Sequence, residues 1–166
     1  MSDRLHRFQF LGQPLLGEGQ GLDLLRHPLD NYLDWMCYDL PAESRYNRTL
    51  QLFRQAFIKA TEIYIGRATT NQNQWELLES LKQLVSQVDP DEPGVHALVW
   101  VFFIAAADST DPEHRRYFTD RMNSVFARTR FRNIPATVES LPAIWSQQGT
   151  ERWTEHVFRL IPTLIM

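Results

Sequence analysis

Metal binding and nucleophilic catalysis would need histidine and cysteine side chains that can meet at one point. No two histidines are three or four residues apart, the helical spacing that brings two imidazoles to one metal. The single cysteine, Cys37, excludes an intramolecular disulfide and every zinc or iron–sulfur site that needs two thiolates. The sequence therefore predicts no metal centre and no cofactor. The five histidines are His6, His27, His96, His114 and His156.

Carboxylates and hydroxyls form no catalytic pattern either. Asp108, Asp111 and Glu113 flank a turn between two predicted helices, where helix capping and the helix dipole explain their types. The chain has no Gly-x-Ser-x-Gly motif of the kind that positions a nucleophilic serine. The segment from Gly17 to Gly21 has closely spaced glycines but no Walker lysine, and it lacks the full spacing of a phosphate-binding loop. A plain flexible loop is therefore favoured over a phosphate site. We therefore predict that the protein is not an enzyme.

Clustered arginines are the strongest charge feature. Residues 113–132 contain six arginines and two acidic residues, a local balance of +4, which leaves −7 for the rest of a chain whose net charge is −3. Guanidinium groups bind carboxylates and phosphates with two parallel hydrogen bonds, so this basic face is a candidate for contact with a partner. A solvated helix face is the alternative. The six residues are Arg115, Arg116, Arg121, Arg128, Arg130 and Arg132.

Helices must position these residues, because apolar side chains recur along the chain at spacings of three and four. Gly66 is predicted to end the first helix and Pro142 to bend or restart the fifth. No run of useful length alternates as a strand would, so the fold class is all-α. A fifth helix is predicted to start near Asn133, with Val138, Leu141 and Trp145 on its buried side, and a last helix is capped by Thr150. The other predicted helices cover residues 49–66, 75–88, 95–108 and 112–129.

The apolar run Ala97–Ala107 is the longest in the chain. As a helix it would rise about 16 Å, against a hydrocarbon core about 30 Å thick, so it is too short to span a bilayer. A helix that is apolar on every side is typical of a protein core. We therefore predict a single irregular bundle of five to six helices around a buried central helix at about residues 95–108.

The chain divides into two parts by composition. Residues 1–44 contain closely spaced glycines and are predicted to be irregular, with a short helix over Asp30–Tyr38. Residues 45–166 form the predicted helical domain. The first ten residues contain no apolar core of a signal peptide, which argues against secretion.

Three segments together resemble the C-terminal portion of the fungal-specific transcription factor domain. They are Leu52–Ile58 with Ile63–Ile65, the apolar run Ala97–Ala107, and Arg115-Arg116. The resemblance covers about residues 45–166, while residues 1–44 match poorly. In fungal zinc binuclear cluster regulators this all-helical regulatory region follows a six-cysteine DNA-binding motif. The later residues Asn133, Leu141, Ile144, Trp145 and Trp153 fit the same pattern.

The resemblance implies a regulatory or protein-interaction module in the nucleus, with the cytoplasm as the alternative location. One cysteine cannot build the family's zinc cluster, so direct sequence-specific DNA binding is not expected. The family's region is longer, which predicts an uncovered apolar patch and contact with protein partners or a second copy. An apolar effector would sit beside Trp100, Phe103, Phe126 and Trp145. The alternatives are a helical ligand carrier or enzyme of a metabolic gene cluster, or a truncated fragment without function.

Overall fold

The computed structural model describes residues 45–70, 72, 74–149 and 152–155. This part of the chain contains five α-helices and one 3₁₀ helix, and it contains no strand, which confirms the all-α class. A further helical turn covers 153–155. The predictions for residues 1–44, for the cap at Thr150 and for the last helix beyond residue 155 lie outside the described residues. The α-helices are α1 (Arg45–Thr69), α2 (Trp75–Val85), α3 (Val99–Asp108), α4 (Pro112–Thr129) and α5 (Asn133–Gln147).

The prediction that Gly66 ends the first helix is wrong, because α1 continues to Thr69. Gly66 instead permits a close approach between two elements. A side-chain carbon at this position would collide with the amide of Gln74, which folds back from the start of α2. The second helix ends at Val85, three residues before the predicted end at Val88, although Val88 itself stays buried.

The buried central helix is confirmed, but it consists of two pieces. The 3₁₀ helix Val95–Leu98 follows Gly94, whose φ of 87° is a left-handed conformation that glycine adopts without a steric cost. Helix α3 follows directly, and every residue from Val101 to Asp108 is buried. It packs against α1, α4 and α5. The uncovered apolar patch predicted from the family's longer region therefore does not lie on α3.

The predicted start of α4 is confirmed at atomic detail. The Asp111 side chain accepts hydrogen bonds from the backbone N–H of Glu113 (2.6 Å) and of His114 (3.3 Å), and Pro112 occupies the first helical position. This is the arrangement in which a missing proline N–H costs nothing. Pro142 does not restart the next helix, since α5 runs through it from Asn133 to Gln147.

Helix α1 and the segment from Gly94 to Asp108 run in the same direction. The Phe53 ring lies against Gly94, the rings of Phe57 and Trp100 stack 5.9 Å apart, and the last turn of α1 reaches the end of α3. The bundle therefore has one end where α1 begins beside the 3₁₀ helix, and an opposite end where α3 terminates. None of the helices in the described ranges has both the length and the hydropathy of a membrane span.

Candidate functional site

The carboxylate of Asp108 lies fully buried at the end of α3 and is bound from three directions. Arg67 on α1 donates from Nε to Oδ1 at 2.6 Å and from Nη2 to Oδ2 at 3.4 Å. The Gln74 amide donates to Oδ2 at 3.1 Å, and the Trp153 indole donates to Oδ1 at 3.0 Å. These four residues form the Asp108 cluster, which joins α1, the start of α2, α3 and the turn at 153–155.

The helix-capping interpretation of Asp108 is thus wrong, whereas that of Asp111 is confirmed. Asp108 is the last residue of α3, where a negative charge opposes the helix dipole. Among the described residues, the guanidinium of Arg67 and two neutral donors compensate for its burial. Breaking a buried ion pair by removing one partner typically costs about 3–5 kcal/mol. The Asp108 cluster is therefore a structural clamp on the core of the bundle.

Side chains from distant elements also donate hydrogen bonds to the backbone carbonyls at the end of α3. The Trp145 indole donates to Ala106 O at 2.8 Å, and the Gln148 amide donates to Ala107 O at 2.7 Å and to Ser109 O at 3.2 Å. The last carbonyls of a helix have no partner within the helix, and a buried helix cannot use water instead. We call Trp145, Gln148 and Arg115 the carbonyl cap of α3.

The structure separates the six predicted arginines into two groups. Arg115 belongs to the carbonyl cap, because its Nε donates to Ser109 O at 2.9 Å and its guanidinium lies 4.7 Å from the Trp145 ring centre. Arg121 is also partly buried, and it donates to Val88 O at 3.2 Å and lies over the Phe102 ring. The others are exposed: Arg116, Arg128, Arg130 and Arg132.

Three of the exposed arginines lie together around an exposed phenylalanine. Arg130, Phe131 and Arg132 connect α4 to α5, and we call them the basic–aromatic turn. Phe131 is 47% exposed and its ring meets the exposed His96 ring edge to face, 5.7 Å away. Arg128 lies one turn earlier. It donates a hydrogen bond from Nη2 to Glu92 O at 3.2 Å and lies 3.8 Å from the Asp91 carboxylate.

The four aromatic residues predicted to surround an effector make packing contacts. Phe103 is fully buried against Trp153, Trp100 stacks on Phe57, and Trp145 serves in the carbonyl cap. Phe126 is partly buried and lies 5.7 Å from the Arg130 guanidinium. Binding of an apolar molecule among these side chains stays a prediction.

A concave region of about 560 Å³ lies elsewhere, between the end of α1 and the start of α2. Its surface includes two carboxylates, several amide and hydroxyl groups, and the exposed Trp75 indole. None of the four predicted aromatic residues belongs to it. The lining residues are Glu62, Gly66, Thr70, Gln72, Gln74, Trp75, Glu76 and Leu77.

A charged cluster holds the start of α4 against α2. The buried His114 ring and the Glu79 carboxylate are joined by a hydrogen bond of 2.8 Å between Nε2 and Oε2. This hydrogen bond, followed by one from Gln83, lowers the pKa of Glu79 below its ordinary value. Lys82 binds Glu113 at 2.6 Å, and that bond raises the pKa of Lys82. Hydrogen bonds and ion pairs of this kind stabilise a contact between helices and do not by themselves form a catalytic site.

Sequence reasoning missed Arg67, Gln74 and Gln148, the three polar residues outside the predicted sites that bind the end of α3. Their partners lie between 34 and 41 residues away along the chain. No local pattern marks such a contact. Within the ranges that the structure covers, no group of three histidine, cysteine or acidic side chains is placed to hold a metal ion.

Comparison with known proteins assigns the family. The family model of the fungal specific transcription factor domain matches residues 26–164. The resemblance seen in the sequence starts at about residue 45, whereas the match to the family model starts at residue 26. No curated protein and no solved structure matches the chain. The chain therefore belongs to the fungal specific transcription factor domain family, and its role is like that of a transcription regulator.

Proposed function

We propose that this chain is a regulatory module that acts in the nucleus through contacts with other proteins, without catalysing a reaction and without reading DNA itself. The observation that carries the proposal is the family match, which extends over residues 26–164 and so includes all five helices. The single cysteine supports the claim that this chain does not read DNA itself. A binuclear zinc cluster needs six cysteines, which this sequence does not contain.

The charge distribution supports a protein partner that carries carboxylates. Arg116, Arg128, Arg130 and Arg132 are exposed on α4 and at its end, while the chain as a whole is acidic, with a net charge of −3. Lysine is nearly absent, at Lys59 and Lys82 only, so the surface lacks the dense positive charge with which proteins grip phosphate backbones. Separate arginines suit specific contacts with carboxylates instead.

A tethered reporter assay tests the proposal. The full chain is fused to an unrelated DNA-binding domain, and expression of a reporter with the matching sites is compared with that of the DNA-binding domain alone. We expect the fusion to change reporter expression in one direction. Fusions with Asp108→Ala, which removes the buried clamp, should return to the baseline, and fusions with the exposed Asp120→Ala should behave like wild type. A wild-type fusion that is present at normal level and leaves the reporter at baseline would contradict the proposal.

A binding measurement tests the claim about DNA. The purified chain is titrated into fluorescently labelled duplex DNA while anisotropy is recorded. We expect only weak binding that disappears as salt is raised, as for contacts with the phosphate backbone. Tight binding to one sequence that persists at high salt would show that the chain reads DNA directly.

A further inference from the structure

The basic–aromatic turn consists of three consecutive residues that each sit where another residue would give a more stable fold. Arg130 has a φ of 60°, a left-handed conformation that glycine or asparagine adopts more readily at the end of a helix. Arg132 is the N-cap of α5, where a positive charge opposes the helix dipole. Phe131 between them exposes nearly half of its surface.

The charge of Arg130 suits the end of α4, where it also lies near the Phe126 ring. Stability of the bundle does not explain the left-handed backbone of Arg130, the position of Arg132 or the exposure of Phe131. Locally unfavourable conformations persist where the surrounding structure holds them for a functional reason. Two guanidinium groups on either side of an exposed aromatic ring form a surface that fits carboxylates next to aromatic side chains. His96, which meets the Phe131 ring edge to face, extends this surface onto the 3₁₀ helix.

The chain itself contains a segment with the complementary composition. Residues 29–43 hold four carboxylates and no lysine or arginine. Three aromatic residues lie among them at a spacing of three. The carboxylates are Asp30, Asp34, Asp39 and Glu43, and the aromatic residues are Tyr32, Trp35 and Tyr38.

The direction of α1 brings this segment to the correct end of the bundle. Phe53 lies against Gly94, two residues before His96, and α1 begins eight residues before Phe53, which is about 12 Å further along the helix axis. Both α1 and α4 contact the 3₁₀ helix. From Arg45, the chain back to Asp34 can extend by about 35 Å.

We propose that residues 29–43 dock on the basic–aromatic turn of the same chain, with their carboxylates on Arg130 and Arg132 and an aromatic side chain against Phe131. Acidic segments rich in apolar residues are also typical of the regions with which transcription regulators bind partners. Docking would keep such a segment from an outside partner until the partner displaces it. This inference does not rest on the reporter assay, because it concerns a contact within one chain.

The native Cys37 provides the probe, since it is the single cysteine and lies in the middle of the segment. A nitroxide is attached to Cys37 of the full chain, and the broadening of amide NMR signals by the nitroxide is measured. We expect broadening at His96 and Phe131, and little at Thr110 and Gln148 near the opposite end of the bundle. Broadening at another surface, or none localised at the turn, would overturn the proposal.

Charge reversal provides the matched comparison. Arg130→Glu with Arg132→Glu should abolish the broadening at the turn, whereas Arg116→Glu, the same change on an exposed arginine near the start of α4, should leave it intact. Adding Asp30→Arg and Asp34→Arg to the variant with Arg130→Glu and Arg132→Glu should restore the broadening at the turn. Circular dichroism checks that each variant is folded, and Phe131→Ser gives a second test without a charge change. Broadening that survives both kinds of turn variant would contradict the proposal.

A mixing experiment separates docking within one chain from exchange between two copies. Nitroxide-labelled chains without ¹⁵N are mixed with ¹⁵N-labelled chains that carry no nitroxide. Docking within one chain predicts no broadening in the mixture. Broadening in the mixture as strong as in the singly labelled protein would show that a second copy supplies the segment, which overturns the proposal.

High salt should weaken the contact, because it shortens the range of the charge attraction to a few ångströms.

Discussion

Charged residues are buried and hydrogen-bonded at the end of α3, whereas they are exposed at the basic–aromatic turn. At the end of α3, Asp108 is buried and bound by Arg67, Gln74 and Trp153, and the carbonyls beside it have donors of their own. At the turn, Arg130 and Arg132 are exposed, and the local backbone favours other residues. The difference teaches that buried charge here stabilises the bundle, whereas exposed charge is free to bind something else.

Asp108→Ala is expected to have the largest effect. It leaves the guanidinium of Arg67 and two neutral donors without their acceptor inside the protein, so we expect a loss of about 3–5 kcal/mol in the free energy of unfolding. Urea denaturation followed by circular dichroism measures it. The exposed Asp120→Ala is the control and should stay within about 0.5 kcal/mol of wild type. Equal stability of the two variants would show that the Asp108 cluster does not clamp the bundle.

Gln148→Ala should have the next largest effect. It removes the side-chain donor for Ala107 O, whereas Ser109 O keeps the hydrogen bond from Arg115 Nε. An unsatisfied buried carbonyl costs about 1–3 kcal/mol. The same denaturation experiment measures the change. Gln51→Ala on the exposed side of α1 removes an equivalent side chain and should be nearly neutral. If Gln148→Ala is neutral too, then water satisfies this carbonyl and the cap contributes little.

Much of the fold was predictable because its signals are local. The sequence Asp111-Pro112-Glu113 predicted the start of α4, and the apolar run Ala97–Ala107 predicted the buried helix. The end of α1 was not predictable from the sequence. Gly66 permits a close contact with Gln74 and does not end the helix.

The polar contacts of the site were less predictable. Asp108 binds residues 34 to 45 positions away, and local spacing carries no information about such pairs. For the same reason the arginine cluster was identified as one face, although Arg115 and Arg121 turn into the structure and bind backbone carbonyls of other segments. Burial separates the two groups, and burial depends on the packing of the whole bundle.

Arg130→Gly should change stability in the opposite direction. Glycine adopts the left-handed conformation of this residue without a steric cost, so we expect a gain of about 0.5–1 kcal/mol, although the more flexible unfolded chain offsets part of it. Arg116→Gly, within α4, should instead lose about 1 kcal/mol because glycine disfavours a helix interior. A loss at both positions would mean that the Arg130 side chain stabilises the turn.

The smallest expected effect is on the pH dependence of stability. The hydrogen bond from His114 lowers the pKa of Glu79 in the folded state, so folding is favoured above the ordinary carboxyl pKa and this contribution is lost as pH falls through the lowered value. Glu79→Gln should therefore flatten the dependence of unfolding free energy on pH below about 4.5. Glu139→Gln, an exposed position on α5, should leave it unchanged. Identical slopes in the two variants would contradict this role of Glu79.

The most direct test of the contrast between the two regions is a side-by-side urea denaturation of Asp108→Ala and of a turn variant that combines Arg130→Gly, Phe131→Ser and Arg132→Glu. We predict that the Asp108 variant unfolds at much lower urea concentration than wild type. The turn variant should unfold close to the wild-type concentration, because its changes favour the local structure or expose less apolar surface and remove only the contact with residues 29–43. A turn variant destabilised as strongly as Asp108→Ala would show that the turn is part of the structural core and not a surface kept for binding.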